Sequence, residues 1–381
     1  MTTRRRFLAV LGGGVILAAT AFAAPVAVRR PKTAQKPWDD AGTGTDARRK
    51  ALSYALLAPN PHNRQPWLVD LSEADVVTLY ADAGRMLPET DPLNRQITIG
   101  LGCFLELLRM AAAADGYRVT ITPFPKGSSA THLDLRPIAR VVFARDTSVA
   151  LDPLFPLALK RRTNKEPYDL TRNVDPAILA RLARAVTPNS HFGGSVAEAD
   201  IEALRVLTHE ALRIEVETPR TYAESVNLFR IGATEVDANP DGIDFTGPMF
   251  ELLAATGQFT RETALQTNST VYKQGMAAVF ENCDTAMGHI WLTTNGNTRT
   301  DQLNVGADWL RLHLAATSEG LDLQPLSQAL QEYPEMDRLY RDIHARLAPN
   351  GGTVQMLARI GYGPAIGPSP RWPLETRLIN G

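Results

Sequence analysis

Residues Gly100–Gly116 read GLGCFLELLRMAAAADG, and residues Gly306–Gly320 read GADWLRLHLAATSEG. Both are helical segments with a seam of small residues, which lets a second helix or a flat ligand approach closely. Gly102 and Gly116 are 14 apart, as are Gly306 and Gly320, and Leu108, Ala111 and Ala112 fall on Leu312, Ala315 and Ala316. An earlier pair stands in the same order: DARRKALSYALLAPNPH at 46–62 and DPAILARLARAVTPNSH at 175–191 share Asp46/Asp175, Ala51/Ala180, Pro59/Pro188, Asn60/Asn189 and His62/His191. Each is a helix begun by an Asp N-cap and stopped by Pro-Asn. Either pair alone could arise by chance between Ala- and Leu-rich helices, whereas two pairs in one order argue for duplication.

The economical reading is a duplicated α+β unit, half one over about 45–150 and half two over about 155–375, with mixed or antiparallel sheets flanked by helices. Strand-like runs follow each second helix, Arg118–Pro123 in half one and Met356–Tyr362 in half two, the latter reached through a helical stretch from Tyr333 to Leu347. Half two carries an extra segment, 195–304. It reads as mostly helical to Ala238, punctuated by Gly and Pro from Asn239 to Pro248, and helical again through Trp291. An insertion of that length is usually a lid over a site.

The 381 residues carry 40 Lys+Arg against 41 Asp+Glu, so no overall charge drives the chain toward nucleic acid. With 44% hydrophobic and 21% charged residues, it is neither disordered nor a multi-span membrane protein. The N-terminus changes the length that counts. Arg4, Arg5 and Arg6 precede Phe7-Leu8, an apolar stretch runs to Ala24, and Ala21-Phe22-Ala23 offers a cleavage site. This reads as a twin-arginine-type signal over 1–23, implying the twin-arginine export machinery as a partner and a periplasmic or cell-envelope location. The alternatives are an ordinary secretory signal or an uncleaved anchor, because Leu8–Val28 is long enough to span a bilayer. Cleavage after Ala23 leaves 37 basic against 41 acidic residues, a charge of −4. Residues 24–45 lack periodicity and read as a linker. Cys103 and Cys283 would meet an oxidising compartment, either as one disulfide or as two buried thiols.

Several chemistries are absent. There is no G-x-S-x-G elbow, H-E-x-x-H, C-x-x-C or phosphate loop, and Leu105 stands where a dinucleotide fingerprint needs its third glycine. The histidines show no ligand spacing, so no metal site is expected.

Three polar segments remain. KRRTNKEPYD, Lys160–Asp169, concentrates cations around a Thr hydroxyl, suited to a phosphate dianion or simply a solvated basic turn. APNPHNRQPW, Ala58–Trp67, places Asn63 and Gln65 where their amides can meet a heteroaromatic edge, unless it is only a helix stop entering a strand. GLDLQPLSQ, Gly320–Gln328, leaves a helix through a Gly and reaches Pro325, after which free N–H groups can face a ligand.

These segments resemble the motifs of nitroreductase-type flavoproteins, in particular the exported or mycobacterial Acg-like branch, in which one chain contains both halves of what is normally a homodimer. APNPHNRQPW resembles the family's Ala-Pro-Ser-x-x-Asn-x-Gln-Pro-Trp, RRTNKEPY its Arg-Arg-Ser-x-Arg/Lys-x-Phe, and GLDLQPLSQ its Gly-Leu-x-x-x-Pro loop. RIGYGPAIGPSPRWPLE, Arg359–Glu375, resembles its closing Gly-Tyr strand and basic C-terminal segment. The likeness spans roughly residues 45–375.

The resemblance implies a nitroreductase-like pseudo-dimer, FMN as cofactor, and residue roles. Arg161, Arg162, Thr163 and Lys165 would hold the phosphate and ribityl chain, with Arg371 reaching the same phosphate and Lys165 near the flavin N1–C2=O edge. The N–H groups of Leu326 and Ser327, after Pro325, would face flavin N5, the atom that carries the chemistry. Pro61, His62, Asn63 and Gln65 would cross from half one to cover the ring. Because the motifs are not duplicated equally, one FMN is expected, in a chain plausible as a monomer. The implied activity is hydride transfer to an electron-poor small molecule such as a nitroaromatic or quinone, with NAD(P)H or another reductant as donor. The alternative is an exported protein that binds or sequesters flavin with little turnover.

Overall fold

The computed structural model describes residues 30–380. The basic and apolar stretch read as a signal, with the first residues of the expected linker, lies outside the described residues. The first half comprises α1 (Lys36–Asp39), α2 (Ala47–Ala55), β1 (Trp67–Asp70), β2 (Val76–Ala81), α3 (Arg95–Ala114), β3 (Tyr117–Pro123) and β4 (Ala139–Arg145). The second opens with α4 (Ala177–Ala183) and β5 (His191–Ser195). A long excursion follows: α5 (Glu198–Glu217), α6 (Pro219–Asn227), β6 (Phe229–Ile231), α7 (Ala233–Ala238), β7 (Ile243–Phe245), α8 (Pro248–Ala255), α9 (Arg261–Leu265) and α10 (Thr270–Asp284). The chain then returns through β8 (Gly288–Thr294), α11 (Arg299–Ser318), β9 (Asp322–Pro325), α12 (Asp337–Leu347) and β10 (Thr353–Gly361), and ends in β11 (Leu378–Asn380).

The sheets make the duplication visible. One has the order β11-β1-β2-β4-β3 and the other β5-β8-β10-β9. Apart from β11, which pairs parallel to β1, every neighbour in both sheets is antiparallel. In each, the first strand pairs with the second, the second with the fourth and the fourth with the third, and a 20-residue helix follows the second strand. The fold is thus α+β and internally duplicated, with β1, β2, β3 and β4 answering to β5, β8, β9 and β10.

The helices α3 and α11 form the centre, and each begins 204 residues from the other, at Arg95 and Arg299. They cross where Gly102 meets Gly306. A Cβ on Gly102 would lie 2.1 Å from the Leu303 carbonyl oxygen, and one on Gly306 would lie 2.1 Å from that of Ile99. Ile99 and Leu303 are also 204 apart, so the contact is reciprocal, as across a twofold interface. The helix ends repeat the exchange. Buried Arg95 donates into the second half, from Nη1 to the Gln355 carbonyl at 2.7 Å and from Nη2 to that of Leu330 at 2.5 Å. Buried Arg299 donates into the first, from Nη2 to the Leu93 carbonyl at 2.6 Å and from Nη1 to Thr98 Oγ1 at 3.2 Å.

Several expectations need correction. The counterpart of Arg118–Pro123 is β9, and Met356–Tyr362 belongs to the counterpart of β4; β9 is only four residues ending in Pro, too short to read as a strand. The insertion lies between β5 and β8 instead of filling 195–304. Gly288–Thr294, expected as helix in part, is a central strand between β5 and β10, its alternating Ile290, Leu292 and Thr294 buried. The stretch expected as helical to Ala238 is broken by β6, and residues 299–304 are the first turns of α11.

The described part of the linker is also docked. Trp38 is buried and donates Nε1–H to the Ser369 carbonyl at 2.8 Å, since an indole that size gains more in a cleft than in water. The last residues also extend past the expected second half, as β11 completes the first sheet. Cys103 and Cys283 are both buried and unpaired.

Candidate functional site

Segments far apart in sequence meet at the C-terminal end of α2, where carbonyls lack intrahelical partners and carry the negative end of the helix. The Leu57 carbonyl accepts from Arg161 Nη2 and Arg371 Nη2, each at 3.1 Å. Arg371 also donates from Nε to Leu56, from Nη2 to Ala58, and from Nη1 to Asn63 Oδ1, Ser369 Oγ and the Pro370 carbonyl. Beyond Arg161, Thr163 bridges parallel to Leu323, and the Asn164 N–H donates to the Leu323 carbonyl at 3.1 Å. The basic segment therefore runs beside β9 and reaches the loop at Pro325–Ser327. All four motif regions are brought together.

The turn after α2 is strained. His62, Asn63 and Gln65 have φ of 47°, 50° and 49°, a region that side chains rarely adopt and that persists only where the surroundings impose it. The surroundings do so here. Asn60 Oδ1 accepts from the Gln65 N–H at 2.7 Å, and Pro61 lies against Gly100, where a Cβ would come within 3.2 Å of it. Gln65 donates from Nε2 to the Pro240 carbonyl at 2.6 Å and accepts from the Trp372 N–H at 2.8 Å. Asn63 donates to the Pro370 carbonyl and accepts from Arg371. Both amides, expected to face a ligand, are spent on the protein, because an unpaired buried amide costs about 1–3 kcal/mol. Arg371, expected at a phosphate, is likewise saturated with protein acceptors and fixes the turn.

Three groups stay open. The His62 ring has no hydrogen-bond partner among the described residues; burial, with Lys165 and Arg64 nearby, lowers it to about 4, so it is a neutral imidazole at neutral pH. Lys165 makes no ion pair among the described residues. It keeps exposed surface, yet burial depresses its ammonium, opposed only by the charge of Asp244 on β7. Asp244 is likewise accessible but ringed by protein, with burial raising its carboxyl against the pull of Lys165 and Arg371. The charge effects of Lys165 on His62 and of Lys165 and Asp244 on one another bring these partly exposed groups together where the halves and the insertion meet, and that meeting place is the cleft. Arg162 packs its guanidinium over Trp38 at 4.7 Å, and its Nη1 donates to the carbonyls of Leu159 and Arg161 while Nε and Nη2 take no partner among the described residues. Arg161 retains only long contacts from Nη1, 3.4 Å to Thr163 Oγ1 and 3.5 Å to His313 Nδ1.

At the β9 loop the expectation half fails. The Leu326 N–H donates to the Leu357 carbonyl at 2.9 Å, continuing the sheet, so it is not free for a ligand. The Ser327 N–H has no acceptor among the described residues, and its buried hydroxyl has no partner.

Sequence reasoning missed the residues that hold this cleft. Arg359, buried in β10, donates from Nε to Gln324 Oε1 and from Nη2 to the Glu166 carbonyl, and lies over the Tyr168 ring at 3.8 Å. A charge inside an otherwise apolar strand was the available signal. Asp241, in the insertion, accepts from Arg85 at 2.6 Å and Arg230 at 2.7 Å with Arg64 at 3.6 Å, latching the insertion to the first half. No local pattern marked it.

The corresponding place in the second half is different. The Ala185 carbonyl, 129 residues on from Leu56, accepts from Arg311 Nε at 3.0 Å. Arg311 and Arg109 there are neutralised by Glu106 and Asp152 at 2.6–3.2 Å. The duplicated position is a closed ion network with two acids. Among the described residues no group of His, Cys, Asp and Glu could hold a metal ion.

The fold and site define a duplicated α+β protein with a cation-lined cleft where its halves meet. No family model matches the chain. It is similar to a Mycobacterium tuberculosis protein provisionally named NAD(P)H nitroreductase acg, 25% identical over 334 residues, covering 86% of this chain and 92% of the relative. A second M. tuberculosis protein with the same provisional activity in its name is 25% identical over 346 residues, with 86% and 92% covered. The resemblance to Acg-like nitroreductases thus holds along most of the chain. Among solved structures, the FMN-dependent nitroreductase NfnB of Mycobacterium smegmatis aligns with 18% identity and a TM-score of 0.31, over 55% of this chain and 91% of its own. A provisionally named nitroreductase of Anabaena variabilis aligns with 12% identity and a TM-score of 0.34, over 96% and 100%.

Proposed function

We propose that this chain binds one FMN in the cleft and acts as an FMN-dependent oxidoreductase of nitroreductase type, reducing an electron-poor small molecule such as a nitroaromatic or quinone. The observation that carries the reading is the convergence of four motif regions around Arg161 and Arg371, in a segment whose Arg162 keeps Nε and Nη2 without partners and whose Lys165 makes no ion pair among the described residues. That donor set suits a phosphate dianion. When bound, a flavin supplies hydride uptake and release at N5. The chain's own groups bind and orient it: Arg161 and Arg371 hold the turn that carries His62, and Lys165 stabilises negative charge on what it faces in a poorly solvated cleft. The acidic network at the duplicated position argues for one cofactor per chain, and the reciprocal exchange between α3 and α11 for a monomer.

Absorption of the purified protein tests this first, with a bound-flavin band and FMN released on denaturation as the expected result. Arg162→Ala with Lys165→Ala should then lower FMN affinity by orders of magnitude, each charge-assisted bond being worth about 1.5–3 kcal/mol. Full flavin retention in the double variant would refute the cradle.

The second reading is flavin sequestration. The Asp241 latch and the Gln65–Pro240 bond, which hold the insertion on the His62 turn, favour it. Reduction by NAD(P)H or a quinol analogue followed by reoxidation with a nitro compound separates turnover from storage. We further propose export through the twin-arginine route to the periplasm or envelope, with a donor available there. Fractionation with and without Arg4→Lys/Arg5→Lys tests it, a shift of the protein to the cytoplasm in the variant being the expected outcome.

A further inference from the structure

The chain that enters the fold at Lys32 is fastened in a way the cleft residues do not explain. The Asp237 carboxylate, on α7 of the insertion, accepts from the backbone N–H groups of Lys32, Thr33 and Ala34, each at 2.9 Å, and from Thr33 Oγ1 at 3.0 Å. These hydrogen bonds hold it below the usual carboxylate range against the opposing effect of burial. The Ala34 carbonyl accepts from the Arg371 N–H at 2.7 Å, and Gln35 Nε2 donates to the Pro368 carbonyl at 3.0 Å. Trp38 then lies beneath two guanidiniums, with Arg162 4.7 Å and Arg371 5.5 Å from its ring. Residues 32–38 thus touch the insertion, the C-terminal segment and two cleft arginines at once.

The geometry points to Trp38 as a positioning residue for the cofactor's phosphate cradle, with Asp237 fastening the strap that carries it. This rests on the FMN reading above. Arg162 has two carbonyls on Nη1 and an indole face against its plane, which leaves only Nε and Nη2 to choose a direction. A guanidinium held on one face loses less freedom when it takes a phosphate. The strap therefore acts on the phosphate end of a ligand and not on its rings.

The test compares FMN with riboflavin, which lacks the phosphate, by flavin fluorescence titration of the whole protein. Trp38→Leu should weaken FMN by about 5- to 30-fold, the range of a partly desolvated cation–π contact, and leave riboflavin unchanged. Trp38→Phe, which keeps a π face, should restore most of the preference. Should the buried variant fold poorly, Asp237→Ala, at a half-exposed position, should lower the same FMN-to-riboflavin ratio by loosening the strap. A preference that stays at its wild-type value in both Trp38→Leu and Asp237→Ala, or an equal loss for both flavins, overturns the assignment. Wild-type protein that does not prefer FMN at all instead fails the cofactor reading itself, a different and visible outcome.

Discussion

Replacing Glu215 with Gln should remove a pH-dependent weakness from the protein. Glu215 lies on α5 of the insertion, is buried, and accepts from Gln331 Nε2 at 2.6 Å across the interface with the loop after β9. Burial raises its carboxyl from 4.5 to about 7, opposed by the Gln331 bond and assisted by the charge of Glu224. The folded state thus holds a proton that the unfolded chain releases. Its contribution is fully present below pH 4.5 and is lost as pH rises through about 7. By pH 8 the loss amounts to about 3 kcal/mol.

A glutamine keeps the shape and an acceptor for Gln331, and its own N–H₂ can reach Gln331 Oε1, which has no partner. The expected result in urea denaturation is a Glu215→Gln midpoint close to wild type at pH 5 and clearly higher at pH 8. The ratio of slopes should stay unchanged, showing that the effect is stability and not compactness. If the wild type and variant differ by the same amount at both pH values, the proton on Glu215 is not what couples the insertion to that loop.

Three further outcomes are expected. Gly306→Leu should prevent α3 and α11 from closing and cost more than the about 1–3 kcal/mol of ordinary overpacking, because the first clash is with backbone; a melting temperature within a degree of wild type would contradict it. Asp241→Asn leaves Arg85 and Arg230 without their buried counter-charge, about 3–5 kcal/mol, so hydrogen exchange over residues 228–245 should speed up by at least about a hundredfold, while exchange in α11 stays slow. Burial pushes the Cys103 thiol up to about 12 and the Cys283 thiol up to about 11, so a thiol reagent should find neither in native protein and both after unfolding; modification of folded protein would show that one is accessible.

Much of the architecture is legible in residues 100–116 and 306–320, because close helix crossing demands small residues and their spacing survives duplication. The offset of 204 even predicts which glycines touch. What sequence could not show is the burden of local partners. Asn63, Gln65 and Arg371 look like ligand contacts by type, but Asn63 and Gln65 meet backbone groups arriving from 240, 370 and 372, and Arg371 meets the carbonyls of 56–58. Leu326 loses its N–H to Leu357 because β10 continues past the end of β9 toward Thr353. Lys165 is legible as part of a cation cluster around Thr163, and His62 through the likeness of its turn to a family motif; Asp244 and Asp241 are not, since an acid in a loop is ordinary until its cations are placed around it.

The pairing of β11 with β1 has a consequence for how the protein is made. Val69 meets Leu378, so the outer edge of the first sheet stays open until a strand about three hundred residues downstream has left the ribosome. α3 likewise waits for α11. The first half cannot finish while the second is being translated, and assembly is deferred to a full-length chain. A cell that moves this protein folded must hold it until synthesis is over, and one that threads it unfolded has a long interval in which the first sheet still lacks its closing strand.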